Sequence, residues 1–160
     1  LIPQGKYYFN EKEEVVISEV FSLIRQQPLM FNDSIKYNIT LGQNYTDDEL
    51  ESVITLAKLD DVIYEKGLDY IVGENGKNLS VGQVQRIEIA RALIRKRPII
   101  LADEITSSID AKTASEIRMN ILKLPCTLVE VSHNTSDKEL SLYNRIWNIE
   151  NNDVVEQNTK

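Results

Sequence analysis

Short runs of β-branched and aromatic residues near the start of the chain predict strands. Residues 5–9 and 14–17 have the composition of a short β pair, and residues 20–24 have that of a further strand. Pro28 lacks a backbone donor and is expected to end this region. The pattern therefore predicts β-structure before the first helix.

Two segments in the middle of the chain have the spacing of helices. Thr46 and Glu49 form a capping box, so a helix is predicted over 46–58, with apolar residues on one face: Leu50, Val53, Ile54 and Ala57. Glycines predict a loop after it. Ser80 is then expected to cap a long helix whose last turn, residues 95–97, carries three cations before Pro98 ends it.

The second half of the chain alternates strands with helices. Residues 99–102 are apolar on both faces, as is typical of a buried parallel strand. A helix over 111–122 and a strand over 127–131 follow, and residues 145–150 and 153–156 predict a closing hairpin. This alternation predicts an α/β fold built on a parallel sheet.

Composition and charge exclude several kinds of chemistry. The 160 residues contain one cysteine, Cys126, and one histidine, His133, so a Cys/His zinc site and an internal disulfide are excluded and any metal needs oxygen ligands. Acidic residues outnumber basic ones by 25 to 18, and the net charge of −7 disfavours binding to nucleic acid phosphates. Because no export signal and no membrane-spanning run is recognisable, we expect the reducing cytosol.

Polar side chains are predicted at the carboxyl ends of three parallel strands, where open α/β sheets bind ligands. Gln26 follows the first strand, Asp103 and Glu104 follow the second, and His133 follows the third. Neighbouring carboxylates suit Mg²⁺-dependent phosphoryl transfer, in which one holds hydrated Mg²⁺ and the other accepts a proton from water. Alone the acidic pair is a weak signal, because carboxylates after strands also cap helices.

The segment before the acidic pair makes the interpretation specific. Residues 78–86, Asn-Leu-Ser-Val-Gly-Gln-Val-Gln-Arg, resemble the Leu-Ser-Gly-Gly-Gln signature of ATP-binding-cassette nucleotide-binding domains. Residues 26–28 are similar to the Q-loop of that family, residues 107–110 to its D-loop and residues 131–133 to its H-loop. The motifs follow the family's order, and the resemblance covers nearly the whole chain.

The resemblance implies a P-loop NTPase-type parallel sheet core with an inserted helical subdomain. Residues 1–33 and 86–160 would form the ATPase core, and residues 34–85 the helical subdomain that carries the signature. ATP and Mg²⁺ are the implied cofactors.

The resemblance also implies a role for each residue at the strand ends. Glu104 would be the general base, and His133 would contact the γ-phosphate. Asp103 would hold Mg²⁺ through water, and Gln26 would bind both Mg²⁺ and the attacking water.

In this family the signature acts on the nucleotide of a second cassette. The resemblance implies that Ser80, Val81, Gly82 and Gln83 offer a hydroxyl and backbone N–H groups at a helix N-terminus to the ATP of a head-to-tail partner domain. Asp110 would bridge the dimer interface or would only cap the next helix. Val81 replaces the first signature glycine, so residue 81 is expected to have ordinary helical geometry.

Two further segments resemble exporter-type cassettes. Residues 28–39 are similar to the segment after the exporter Q-loop, and residues 72–76 to the exporter X-loop, which in that group contacts transmembrane coupling helices. The expected partners are transmembrane domains and a second cassette, without nucleic acid, and the expected location is the cytoplasmic side of the membrane. No Gly-x-x-x-x-Gly-Lys-Ser/Thr phosphate loop occurs, so we expect a cassette cut within its first third.

Three alternatives stay open at this point. A natural protein without a phosphate loop would be a regulatory module, and a non-transport cassette would act on DNA or ribosomes. A catalytically dead interaction module is disfavoured because Glu104 and His133 are present. Transmembrane helices encoded upstream of Leu1 would separate transport from the other functions.

Overall fold

A three-stranded parallel sheet forms the centre of the computed structural model, which describes residues 17–105, 108–133, 135–150 and 153–157. Its strands are β1 (Phe21–Ile24), β2 (Ile99–Asp103) and β3 (Thr127–Val131), in the order β1-β2-β3. Both pairings are parallel, so the predicted α/β fold with a parallel sheet is confirmed.

The start of β1 differs from the prediction. A one-turn helix, α1 (Ile17–Val20), precedes it, so Ile17 and Val20 are helical rather than extended. The strand begins at Phe21 because that residue is the first to pair with β2, opposite Ile99. The strand predicted over 5–9 and most of that over 14–17 lie outside the described residues.

Six further α-helices and one 3-10 helix (Glu74–Gly76) occur in the described residues. The capping box of Thr46 and Glu49 is confirmed at the start of α3. The sequence predicted a loop where the helix α4 (Asp60–Lys66) forms. This helix has little local signal, because its N-cap makes no side-chain hydrogen bond and Val62 is its one buried residue. In chain order the helices are α2 (Ile35–Thr40), α3 (Asp47–Leu56), α4 (Asp60–Lys66), α5 (Val81–Ile94), α6 (Ala111–Leu122) and α7 (Asp137–Leu140).

The long helix α5 ends earlier than its sequence suggests. Ile94 is its last residue, and Lys96 has a left-handed backbone, with φ of 49°. Pro98 disfavours helical geometry at the preceding residue, so the chain leaves the helix before the cationic residues 95–97 and enters β2 at Ile99. The last turn predicted over 95–97 is therefore wrong.

The two faces of the sheet have different surroundings. Ile24, Ile100 and Ala102 point into the core that α5 fills with Ile87 and Ile94. On the other face, alternate residues of the strands are exposed although they are apolar: Leu23, Val129 and Val131.

Strands β4 (Ile146–Glu150) and β5 (Asp153–Gln157) form the predicted antiparallel pair. Among the described helices, none is long and apolar enough to cross a membrane.

Candidate functional site

The side chain of Glu104 is the meeting point of the three strand ends. Gln26, two residues after β1, donates its amide Nε2 to Glu104 Oε2 at 2.6 Å. His133, two residues after β3, places Nε2 at 3.2 Å from Glu104 Oε1. The structure therefore brings together three of the predicted site residues, from sequence positions 26, 104 and 133.

The backbone of Glu104 is also fixed in this arrangement. Glu104 donates its N–H to the carbonyl of Val131, the last residue of β3, at 3.0 Å. Its φ of 47° lies in the left-handed region, which is uncommon for a residue with a side chain. This conformation directs the chain away from β2 at the point where the carboxylate meets Gln26 and His133.

Asp103 lies beside this cluster as the last residue of β2, paired in register with Val131. Its side chain is exposed. The described residues contain no group of three or more His, Cys, Asp or Glu side chains that could cage a metal. Mg²⁺ does not need such a cage, since it retains waters and commonly binds to one or two carboxylates together with substrate phosphates. The hard oxygen atoms of Asp103, Glu104 and Gln26 fit that ion.

The signature residues begin helix α5. Ser80 is the N-cap, and its Oγ accepts a hydrogen bond from the N–H of Gln83 at 3.2 Å. Gln83 Oε1 accepts in return from the N–H of Ser80 at 2.9 Å. Val81 is the first helical residue and is exposed, which confirms the expectation of ordinary helical geometry. Ser80 and Val81, at the N-terminal end of this 14-residue helix, are exposed.

Gly82 is held against the segment that resembles the D-loop. A Cβ at this position would lie 2.8 Å from the carbonyl oxygen of Ser108, closer than side-chain carbons approach backbone oxygens. Around this contact, a cleft of about 440 Å³ separates the start of α5 from the start of α6. Ser80, Ile109 and Asp110 are among the residues that line the cleft.

Asp110 has a defined structural role in this cleft. It is the N-cap of α6, and its Oδ1 accepts a hydrogen bond from the N–H of Thr113 at 3.0 Å. The hydrogen bonds from Thr113 lower the pKa of Asp110. The helix-capping alternative is thus what the structure shows, and contact with a dimer partner stays a prediction.

Arg86, in the second turn of α5, forms an ion pair with Asp61 on α4 that the sequence patterns did not predict. Its Nη1 donates to Asp61 Oδ1 at 2.8 Å and also contacts the carbonyl of Lys58. Burial opposes ionisation of Asp61, but hydrogen bonding and attraction by Arg86 outweigh it, so the pKa of Asp61 is lowered. This ion pair forms one wall of the same cleft.

A buried ionic cluster lies behind the His133 segment and was also not predicted. Arg118 on α6 donates to both carboxylate oxygens of Glu130 on β3, at 3.2 and 3.0 Å, and it also binds Glu139. The Tyr143 hydroxyl donates to Glu130 as well. Burial and the neighbouring Glu130 carboxylate raise the pKa of Tyr143. A glutamate in an otherwise apolar strand was the one sequence signal for this cluster.

Comparison with known proteins assigns the family. The sequence model of the ABC transporter family matches residues 4–107, about two thirds of the chain. The chain therefore belongs to the ABC transporter family, as its signature, Q-loop and H-loop residues indicate.

Two sequence relatives and one solved structure show what the chain is similar to. Over 144 residues, 84% of this chain, it is 31% identical to the multidrug resistance-like ATP-binding protein MdlB of Buchnera aphidicola subsp. Acyrthosiphon pisum. It is 37% identical over 143 residues, 86% of the chain, to the ATP-dependent lipid A-core flippase of Vibrio vulnificus YJ016. A solved bacterial Atm1-family ABC exporter with ATP bound superposes with a TM-score of 0.69 at 32% identity, covering 72% of this chain.

These relatives are much longer than the chain. It spans 25% of the MdlB sequence, 24% of the flippase and 21% of the solved exporter chain.

Proposed function

We propose that this chain is a part, without the phosphate-binding loop and inactive on its own, of the ATP-hydrolysing domain of a membrane ABC exporter, which acts at the cytoplasmic side of the membrane. The observation that carries the proposal is the convergence of Gln26 and His133 on the two oxygens of Glu104. A carboxylate held from two sides at a strand end suits a general base, because its orientation is set before the substrate arrives. The similarity to a lipid A-core flippase and to a solved Atm1-family ABC exporter supports the transport context.

In this proposal Glu104 removes a proton from the water that attacks the γ-phosphate of ATP. The amide of Gln26 and the imidazole of His133 keep the carboxylate turned toward that water. His133, which is largely exposed, also contacts the γ-phosphate and stabilises charge there. Holding acceptor and water in one geometry is a large part of catalysis in phosphoryl transfer.

Mg²⁺ and a second cassette complete the proposed site. Asp103 and Gln26 would hold Mg²⁺, which when bound neutralises charge on the phosphate oxygens. The N-terminal end of α5, with Ser80, Gly82 and the backbone of Val81, faces solvent and suits binding of phosphate on a head-to-tail partner cassette. Gln83 supports that end through its hydrogen bonds with Ser80, and Asp110 would lie at the interface.

An exposed apolar surface supports contact with transmembrane domains. Leu29, Phe31, Tyr37 and Ile71 are exposed, and the rings of Phe31 and Tyr37 pack edge to face with centroids 5.9 Å apart. Ser34 forms a β-bridge with Ile71, and Val72 donates its N–H to the carbonyl of Asp33 at 3.0 Å. The second contact joins the segment that resembles the one after the exporter Q-loop, residues 28–39, to the segment that resembles the X-loop, residues 72–76. Clustered apolar side chains of this kind mark protein contacts.

The test is Glu104→Gln in the full-length protein, with ATPase rate and ATP-driven dimerisation measured together. Glutamine keeps the size and the hydrogen bonds but cannot accept the proton, so the rate should fall by roughly 10²–10⁴-fold while dimers persist with Mg-ATP. Glu51→Gln, an exposed substitution on α3, is the matched control and should leave the rate unchanged. If Glu104→Gln keeps more than about a tenth of the rate, Glu104 is not the base.

A further inference from the structure

Helix α5 carries a stripe of polar contacts directed at β1 and the residue that follows it. Gln85 is 2% exposed, and its Nε2 donates to the carbonyl of Arg25 at 3.1 Å. One turn later, Glu88 is also buried, at 3% exposed. A further turn on, the carbonyl of Ala92 accepts from Ser22 Oγ at 2.9 Å.

The stripe fixes the peptide groups that lead into the candidate site. Arg25 is the residue between β1 and Gln26, and its carbonyl is held by Gln85 of α5. The amide of Gln26 then reaches Glu104 at 2.6 Å. Because the Arg25 carbonyl belongs to the peptide group that joins Arg25 to Gln26, fixing that carbonyl limits the orientations open to the Gln26 side chain.

The same helix begins at Ser80, five residues before Gln85. At 1.5 Å per residue, the two are separated by only about 7.5 Å along the helix axis. A rigid helix thus joins the surface offered to a partner cassette to the backbone that carries Gln26. A shift of α5 at its N-terminus would move Arg25 directly.

We propose that Gln85 is a positioning residue: by holding the Arg25 carbonyl it sets Gln26 against Glu104 and links the signature end of α5 to the hydrolytic site. The proposal rests on the function proposed for Glu104 and Gln26. Gln85 itself is buried and touches neither nucleotide nor water in this scheme.

A double-mutant cycle on ATPase activity of the full-length protein separates positioning from simple stability. Gln85→Met keeps the length of the side chain but removes the donor. Misplacement of a reacting group by up to about 1 Å lowers rates by up to about 10²-fold, so we expect kcat to fall roughly 10- to 100-fold with little change in KM. In a Gln26→Ala background the same substitution should change kcat by less than about twofold, because the group it positions is absent.

The matched control is Asn120→Leu. Asn120 on α6 also donates a side-chain amide to a distant carbonyl, that of Leu56, at 3.1 Å, but leads to no site residue. The Asn120→Leu substitution should lower kcat by the same small factor in the parent protein and in the Gln26→Ala background. Equal losses for Gln85→Met in the two backgrounds would overturn the proposal. Should Gln85→Met lose its helical circular dichroism, Gln85→Asn, which keeps an amide, is tested in the same cycle with the same two outcomes.

A second readout needs no ATP hydrolysis. The side-chain amide proton of Gln26 is assigned by its disappearance in Gln26→Ala, and its NMR shift reports the hydrogen bond to Glu104. We expect Gln85→Met to move that shift in the same direction as Glu104→Ala does. An unchanged shift refutes the positioning role. An inactive parent protein would instead refute the proposed function, and the shift would still decide the role of Gln85.

Discussion

The buried cluster around Arg118 gives a sharp prediction about stability. The Arg118 and Glu130 side chains are 3% and 4% exposed, so neither charge reaches water. Arg118→Met retains most of the packing of the arginine stem but removes the charge. In this variant the Glu130 carboxylate stays buried and loses its hydrogen bonds from Arg118, while the hydrogen bond from the Tyr143 hydroxyl is kept. Removing one partner of a buried pair costs about 3–5 kcal/mol, and we expect that loss in the free energy of unfolding.

The opposite substitution should cost less. In Glu130→Leu, Arg118 keeps Glu139, whose side chain is 28% exposed and therefore partly solvated. The loss should be nearer the cost of an unmade hydrogen bond to a charged group, about 2–3 kcal/mol. The double variant Arg118→Met with Glu130→Leu leaves neither member of the pair buried and unpaired. Its free energy of unfolding should therefore be at least about 2 kcal/mol higher than that of Arg118→Met alone.

Urea unfolding followed by circular dichroism measures all three variants. The control pair is Lys58 and Glu116, joined at 2.7 Å but with both side chains well exposed, and Lys58→Met should leave the midpoint unchanged. If Arg118→Met costs less than about 1 kcal/mol, the cluster behaves as a surface ion pair and the reasoning from burial is wrong. A double variant less stable than both single variants would also contradict it.

Three further predictions concern other parts of the chain. Gly82→Ala should destabilise by roughly 1–3 kcal/mol in urea unfolding, because its Cβ would overlap the Ser108 carbonyl, whereas exposed Val81→Ala should stay within about 0.5 kcal/mol. Burial raises the pKa of the Cys126 thiol, so less thiolate is present at pH 8. Labelling of Cys126 by a disulfide reagent should therefore be slower than labelling of a cysteine peptide. The labelling rate should reach half its maximum at a higher pH than the rate for the peptide does. Because an apolar face of the sheet is exposed, we expect light scattering to show self-association of the chain. Val129→Lys should reduce that self-association. Equal self-association of the parent chain and the variant would argue against a role of that face.

The elements with strong local signals were predictable from the sequence. Helices α5 and α6 begin at the capping residues Ser80 and Asp110, as their side-chain hydrogen bonds confirm. Strand β2 was recognisable because a run of apolar residues follows a proline. Helix α2 was not predicted because it has only six residues; although Ser34 caps it, Ile35 and Lys36 also donate to carbonyls more than 30 residues further along the chain.

The strand-end residues of the site were predictable for a different reason. Parallel strands place their carboxyl ends at one edge, so Gln26, Glu104 and His133 could be expected together without any coordinates. The residues that support them could not. Gln85 and Arg118 are polar residues on helices, which sequence patterns assign to solvent, and only the packing of α5 on β1 and of α6 on β3 buries them.

The two residues that follow Ser80 show why one departure from the family signature is tolerated while the other position must stay glycine. Val81 occupies the first turn of α5 with its side chain exposed, and ordinary helical geometry suits a β-branched residue there. Its backbone N–H is retained, which is the group that an anion at a helix N-terminus needs. Gly82 instead faces the Ser108 carbonyl at a distance that leaves no room for a Cβ. The constraint at residue 82 is therefore contact with the segment before α6, and a side chain there would separate the signature from Asp110 before it affected any nucleotide.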